Sequence, residues 1–320
     1  MNLAFEKIEL RFLFPAGTSR GVLRKKPSWI LKCRELPAVQ GECSVIPGLN
    51  KDFISEAQYE DKVRWVCETF TRLFSQLSRE NLLQFFCIEL HAYPSILFGV
   101  ETIFYQLGRL KGEDALISEF SKGHATIPIN GLIWMGDEGF MHNQIAAKLA
   151  QGFRCLKLKI GALDFNKEIG LLESLRQKYT SDQLELRVDA NGAFSPAEAM
   201  NKLERLTSLD IHSIEQPIRA GQFDQMANLC RYSPLDIALD EELIGLSHIE
   251  DKRRLLHQIR PAYIILKPAL LGGFKSCDEW ITLAEQLDIA WWITSALESN
   301  IGLEAIAQYT ASKRTKMYQG

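Results

Sequence analysis

From Ile127 onward the chain alternates short apolar runs with amphipathic segments, and this rhythm restricts the fold more than any other feature. The runs predicted as strands are Ile129–Trp134, Cys155–Ile160, Leu184–Asp189, Ser213–Glu215, Ile237–Asp240, Tyr263–Lys267 and Ala290–Thr294. Helical spacing of apolar residues lies between them, as in Asn143–Gln151, Asn166–Lys178, Pro196–Leu206 and Phe274–Gln286. Strand and helix in strict alternation mean right-handed βαβ units and a parallel sheet. Seven such units predict an α/β fold, a modified TIM barrel one strand short of the eight that close a ring. After a helix near Gly302–Ser312, Lys316-Met317-Tyr318-Gln319-Gly320 is expected to begin the eighth strand, and the sequence is expected to be shortened there relative to the natural protein.

The charged residues of these runs carry the chemical signal. In Cys155-Leu156-Lys157-Leu158-Lys159-Ile160-Gly161 a period of two sends Lys157 and Lys159 to one side and Leu156, Leu158 and Ile160 to the other. Asp189, Glu215, Asp240 and Lys267 then follow at or near the ends of four further strands, roughly 26 residues apart, one βα unit each. A lone acid at a strand end is ordinarily a cap or turn former, and a water-facing strand also alternates. The ordered set of Lys-x-Lys, Asp, Glu, Asp and Lys outweighs those readings, because it puts every charge on one rim of a barrel. Three neighbouring carboxylates repel one another without a cation, and oxygen-only ligands suit a hard divalent ion, most simply Mg²⁺. A cation and a neighbouring ammonium both disfavour a protonated lysine, which is what a lysine base requires. The expected chemistry is removal of a proton next to a carboxylate, giving an enediolate.

The preceding residues have another style. Leu3–Phe12, Trp29–Cys33 and Gly41–Ile46 are expected as antiparallel strands, with a loop of small and basic residues at Pro15–Gly21. From Ser55, a candidate helix cap, Val63, Val66, Phe70, Leu73 and Leu77 keep helical spacing, and Pro94-Ser95 opens another helix. Residues 1–120 are therefore expected to form a small α+β domain, strands first and helices after, and residues 121–320 the barrel. A net charge of −3 from 37 basic and 40 acidic residues argues against a nucleic-acid or membrane-surface partner. The charged residues within Met1–Phe12 interrupt any signal-peptide core, and seven scattered cysteines with no Cys-x-x-Cys pair suit reduced thiols, so a cytoplasmic enzyme is expected. His212, just before a strand, is expected to pack rather than to react.

The lysine and carboxylate set resembles the enolase superfamily, in its muconate-lactonizing-enzyme-like subgroup. Two further stretches support the likeness: Gly41-Glu42-Cys43-Ser44-Val45-Ile46-Pro47-Gly48, and Ser295-Ala296-Leu297-Glu298-Ser299-Asn300-Ile301-Gly302-Leu303. The resemblance implies an N-terminal α+β cap on a (β/α)7β barrel. It implies Asp189, Glu215 and Asp240 as ligands of Mg²⁺ (or Mn²⁺), Lys159 as the base that then acts as acid, and Lys157 as its electrostatic support. Lys267 would lie across the site against the face of a substrate ring. Gly17–Gly21 corresponds to a cap loop that closes over substrate; Arg20, Ser295 and Asn191 are candidate substrate contacts, with Glu241 beside the metal set. Trp291-Trp292 are expected in the barrel wall. The implied substrate is a small-molecule carboxylate and the implied reaction a dehydration. Racemisation of N-acylamino acids or epimerisation of dipeptides uses the same lysines, and the Asp-x-Asp signature of dipeptide epimerases would fall on the eighth strand. A non-catalytic binding protein on this frame would be expected to have lost a lysine or a ligand; none is lost.

Overall fold

The computed structural model describes residues 1–18, 21–112, 116 and 118–320. The chain begins with a three-stranded antiparallel sheet, β1 (Leu3–Thr18), β2 (Gly21–Cys33) and β3 (Gln40–Ser44), in sequence order. The expected loop at Pro15–Gly21 is instead mostly strand: Ala16, Gly17 and Thr18 pair with Leu23, Val22 and Gly21. The pairing register shifts between Arg11 and Ala16. A bulge of this kind lets a hairpin continue through residues whose alternation is broken, so periodicity under-reads its length. The far part of β1 leans on the barrel, where Phe14 meets Phe140 edge-on at 6.2 Å.

Three helices follow, α1 (Glu56–Leu73), α2 (Arg79–Glu89) and α3 (Pro94–Leu110). Ser55 caps α1 as expected, accepting from the Gln58 amide. Leu77 is not on that helix: Ser78 starts a new one, accepting from Asn81 N. Trp29, Leu31, Cys43 and Val45 of the sheet pack with Val63, Val66, Phe70, Phe86 and Ile103 of the helices in a core of their own.

The second sheet is parallel and seven-stranded, in sequence order: β4 (Gly131–Ile133), β5 (Cys155–Lys159), β6 (Glu185–Asp189), β7 (Ser213–Glu215), β8 (Ile237–Leu239), β9 (Tyr263–Leu266) and β10 (Ala290–Ile293). Each expected strand is present, shortened by a residue or two at most at all but β4. Between and after them run α4 (Glu138–Ala150), α5 (Phe165–Arg176), α6 (Pro196–Thr207), α7 (Phe223–Tyr232), α8 (Ile249–Ile259), the single turn α9 (Pro268–Leu271), α10 (Gly273–Glu285) and α11 (Asn300–Ser312). Asp137, Asp164 and Ser299 cap α4, α5 and α11, and Ser195 with Glu198 forms a reciprocal capping box on α6. Leu156, Leu158 and Ile160 point outward into the main core with Leu172, Val188, Leu203 and Leu256. Trp291 joins this outer layer, whereas Trp292 fills the interior beside Ala238 and Ile265.

The ring is carried toward closure by the last residues. Gln319 forms a parallel bridge with Ile129, its carbonyl accepts from Asn130 N at 2.8 Å, and Gly320 N donates to Ile293 O at 3.1 Å. Gln319 and Gly320 therefore stand between β10 and β4, where the eighth strand was expected to begin.

Candidate active site

Parity and register assemble the site. Lys159 is the Cα partner of Asp189 across β5 and β6, and Asp189 that of Glu215 across β6 and β7. Glu215 pairs with Ala238, and Asp240 lies two residues beyond on the same side. Lys267 follows directly on β9. The chain turns sharply at the same rim. Asn191 and Gln216 take φ of 44° and 42°, and Gly161 takes 97°. Asn tolerates the left-handed region, glycine is free in it, and Gln216 is held there by its side chain. Gln216 Oε1 accepts from Asp240 N at 3.2 Å, and its Nε2 donates to Ile218 O at 3.0 Å.

The six charged side chains meet as pairs. Lys159 Nζ binds Asp189 Oδ2, Lys157 Nζ lies 3.0 Å from Glu215 Oε2, and Lys267 Nζ binds Asp240 Oδ2. All three carboxylates are buried, Asp189 completely and the other two 2% exposed. Lysines on both flanks were expected; one ammonium for each acid was not. Among the described residues no three carboxylate, imidazole or thiol groups stand close enough to grip one ion together. Each of the three acids instead has an ammonium of its own beside it, and this pairing removes the repulsion between buried like charges.

The electrostatics follow from these pairs. Burial pulls the Lys157 ammonium down, but Glu215 and Asp189 more than offset it, and its pKa is raised. Lys267 behaves alike, with Asp240 and Glu215 outweighing burial. Asp240 is raised, by burial first and then by Glu241, against the pull of Lys267. The donor set nonetheless suits a hard divalent cation. It offers carboxylate oxygens on three adjacent strands, and Glu215 Oε1 is buried without a hydrogen bond, 3.9 Å from Lys267 Nζ.

Asn191 ties the two ends of the row together. Its Oδ1 accepts from Lys159 Nζ at 3.0 Å, its backbone N donates to Asp189 Oδ1 at 2.9 Å, and its Nδ2 donates to Glu241 Oε1 at 3.1 Å. Glu241 is thus a member of the network, not a solvated acid. Ser295 stands half-buried two residues past β10. Arg20 lies outside the described residues. His212 sits at the opposite end of the barrel, against Tyr263 at 5.1 Å between ring centroids.

The sequence marks Trp134 only as a strand end. It follows Ile133, the partner of Leu158, so it falls beside Lys159 on the inward row. Lys159 Nζ lies 6.0 Å from its ring centroid. Gln144 holds its backbone from both sides, accepting from Trp134 N at 2.9 Å and donating to Trp134 O at 3.0 Å. The only sequence signal was its parity with Lys159 across the first two strands.

Known proteins share this fold. An o-succinylbenzoate synthase from Desulfotalea psychrophila is 46% identical over 341 aligned positions, spanning 100% of this chain and 92% of that relative. A crystal structure of MenC from the same organism superposes with a TM-score of 0.82 at 42% identity, covering 100% of this chain and 93% of that one. A substrate-liganded L-Ala-D/L-Glu epimerase from Bacillus subtilis has a TM-score of 0.81 at 19% identity, covering 100% and 89%, a likeness of fold alone. Residues 141–320 match the family described as enolase C-terminal domain-like. With its parallel barrel, its antiparallel N-terminal sheet and these relatives, the chain belongs to the enolase superfamily.

Proposed function

We propose that this protein is an o-succinylbenzoate synthase. It dehydrates 2-succinyl-6-hydroxy-2,4-cyclohexadiene-1-carboxylate to o-succinylbenzoate and water in menaquinone biosynthesis, in the cytoplasm. The observation that carries the specific reaction is the 46% identity extending over the whole chain to a synthase of that name. The reaction class is supported by the site: a base candidate at one end of a buried carboxylate row and a second ammonium at the other.

Asp189, Glu215 and Asp240 would hold Mg²⁺ or Mn²⁺. Such an ion, when bound, supplies Lewis-acid stabilisation of the second negative charge that develops on a substrate carboxylate. Lys159, oriented by Asn191, takes the proton from the carbon bearing that carboxylate, and the electron pair is delocalised as an enediolate. The same Nζ then returns a proton to the departing hydroxyl, which leaves as water while the ring becomes aromatic. One lysine serving both steps makes the elimination syn. Lys157 shares the buried charge of Glu215 and supports Lys159 through the field. Lys267, beyond Glu215 and Asp240, faces the site from the far side, where a cation opposes an electron-rich ring. Residues 1–120 act as the cap, with the hairpin of β1 and β2 over the rim.

The deciding experiment assays the protein with Mg²⁺, and again after EDTA, against the cyclohexadiene substrate, N-acylamino acids and dipeptides. Rapid dehydration that EDTA abolishes and Mg²⁺ restores is expected. Racemisation or epimerisation without dehydration would move the protein to another activity on the same scaffold.

A further inference from the structure

The two stretches that strengthened the family resemblance, Gly41–Gly48 and Ser295–Leu303, touch each other. Glu42 is fully buried on β3. Its carboxylate accepts from Ser299 N at 2.9 and 3.0 Å, from Ser299 Oγ at 2.6 Å and from Gly302 N at 3.1 Å, so a residue of the N-terminal sheet caps the N-terminus of α11. Ser28 Oγ, on β2, donates to the same carboxylate at 2.7 Å. Lys26, two residues earlier on the same face and 1% exposed, donates to Ser44 Oγ on β3 and to Ala296 O at 3.1 Å. Glu298, which accepts from Ala296 N at 2.6 Å, completes the cluster. Burial and Glu42 hold the Glu298 carboxyl up at about 7, against Lys26, and burial lowers Lys26.

Nothing in the mechanism uses these groups. They are costly to bury: a charged group taken out of water must be compensated by hydrogen bonds or nearby charge, and an apolar packing would serve stability as well. What they hold is specific. The backbone between β10 and α11 runs from Ser295 on the catalytic rim through Leu297, which takes a φ of 61° that a branched side chain adopts only under constraint. Lys26 grips Ala296, next to Ser295; Glu42 grips Ser299, at the loop's far end.

We propose that Lys26 and Glu42 are positioning residues of the active site. They fix the loop Ser295–Ser299 from behind, so the N-terminal sheet shapes the substrate side of the seventh barrel strand without touching substrate. This rests on the proposed function for its kinetic readout but not for its structural one. In Lys26→Met the loop loses one anchor, and in Glu42→Gln the charge that caps α11. Each substitution raises KM for the cyclohexadiene substrate by about tenfold or more while kcat falls less, because a displaced contact loop costs binding and orientation rather than the proton transfer. Amide hydrogen exchange over residues 295–302 speeds up in both variants, and exchange in β5 and β6 does not. Should Lys26→Met fail to fold, Ser44→Ala removes only the hydroxyl that receives the ammonium and reads the same way. A lowered melting temperature with KM, kcat and loop exchange all unchanged overturns the proposal, leaving a purely structural cluster. If the wild-type chain does not dehydrate the substrate, the functional reading fails, and exchange over 295–302 still decides whether Lys26 and Glu42 fix the loop.

Discussion

The two ends of the barrel interior are built from the same strands and solve opposite problems. On β6, Arg187 and Asp189 point inward two residues apart. At the lower end Arg187 is held on three sides: its guanidinium lies 4.3 Å from the Trp292 ring centroid, Nε donates to Glu185 Oε1 at 2.6 Å, and Nη1 donates to Tyr318 O at 3.0 Å. Ala238, Ile265 and Trp292, with Tyr263 and Met317 against them, fill the space around it. At the upper end Asp189 joins a row of charges that neutralise one another, and Glu215 keeps an oxygen without a hydrogen bond. The lower layer is a plug that closes the barrel. The upper layer holds paired charges whose partners, under the proposed function, would be exchanged for a cation and a substrate. One strand thus supplies stability and reactivity from adjacent inward positions, and depth in the barrel separates the two.

Substitutions at the two ends should therefore separate activity from stability. The largest effect is expected at Lys159. Lys159→Ala should lower turnover by about 10³-fold or more, the scale of a lost general base, with the circular-dichroism spectrum retained in Mg²⁺. Appreciable residual dehydration would remove Lys159 from the role of base. At the lower end, Arg187→Met should destabilise the fold by about 3 kcal/mol in urea titration, the cost of leaving Glu185 and the Tyr318 carbonyl without their buried donor. Its kcat should stay near wild type, and a matching loss of kcat would show that the ends are not independent.

A third prediction concerns the other junction between the N-terminal helices and the barrel. Glu101 on α3 accepts from Phe274 N at the start of α10. Burial pushes its carboxyl up to about 8 from 4.5, against the Phe274 and Lys275 amides, which pull it down. Below about 4.5 the group is protonated whether the chain is folded or not. As pH rises from there toward 8 the unfolded chain ionises first, so the group's contribution to stability is lost with rising pH. Glu101→Gln should flatten that dependence, gaining of order 3 kcal/mol relative to wild type between pH 5 and 8. Parallel melting-temperature profiles for the two proteins would contradict this charge state. The smallest effect is expected at Trp134, beside Lys159 on the rim. Trp134→Leu should raise KM by about tenfold at most and diminish the change in tryptophan fluorescence on substrate binding. An unchanged KM would place the indole outside the substrate's reach.

Much of this was legible because it is local. Lys157 and Lys159 share a face by the pleat alone, and the strands carrying Asp189, Glu215, Asp240 and Lys267 were bounded by where apolar runs stop. The length of the hairpin is not legible in the sequence, because pairing with β2, not alternation, keeps Ala16, Gly17 and Thr18 extended. The place of Trp134 is not legible either, because an aromatic at a strand end looks like packing until its neighbour is known to be Lys159.

The sequence by itself determined the βα rhythm, the direction of the strands and therefore the rim on which the charges gather, since each depends on residues within one turn or one strand. Only the tertiary structure decided that each acid takes its own lysine, that Gln319 enters between β4 and β10, and that Glu42 caps a helix beginning more than two hundred residues later. Those contacts depend on how a twisted sheet closes and how the N-terminal elements settle against it, and no local periodicity encodes that distance.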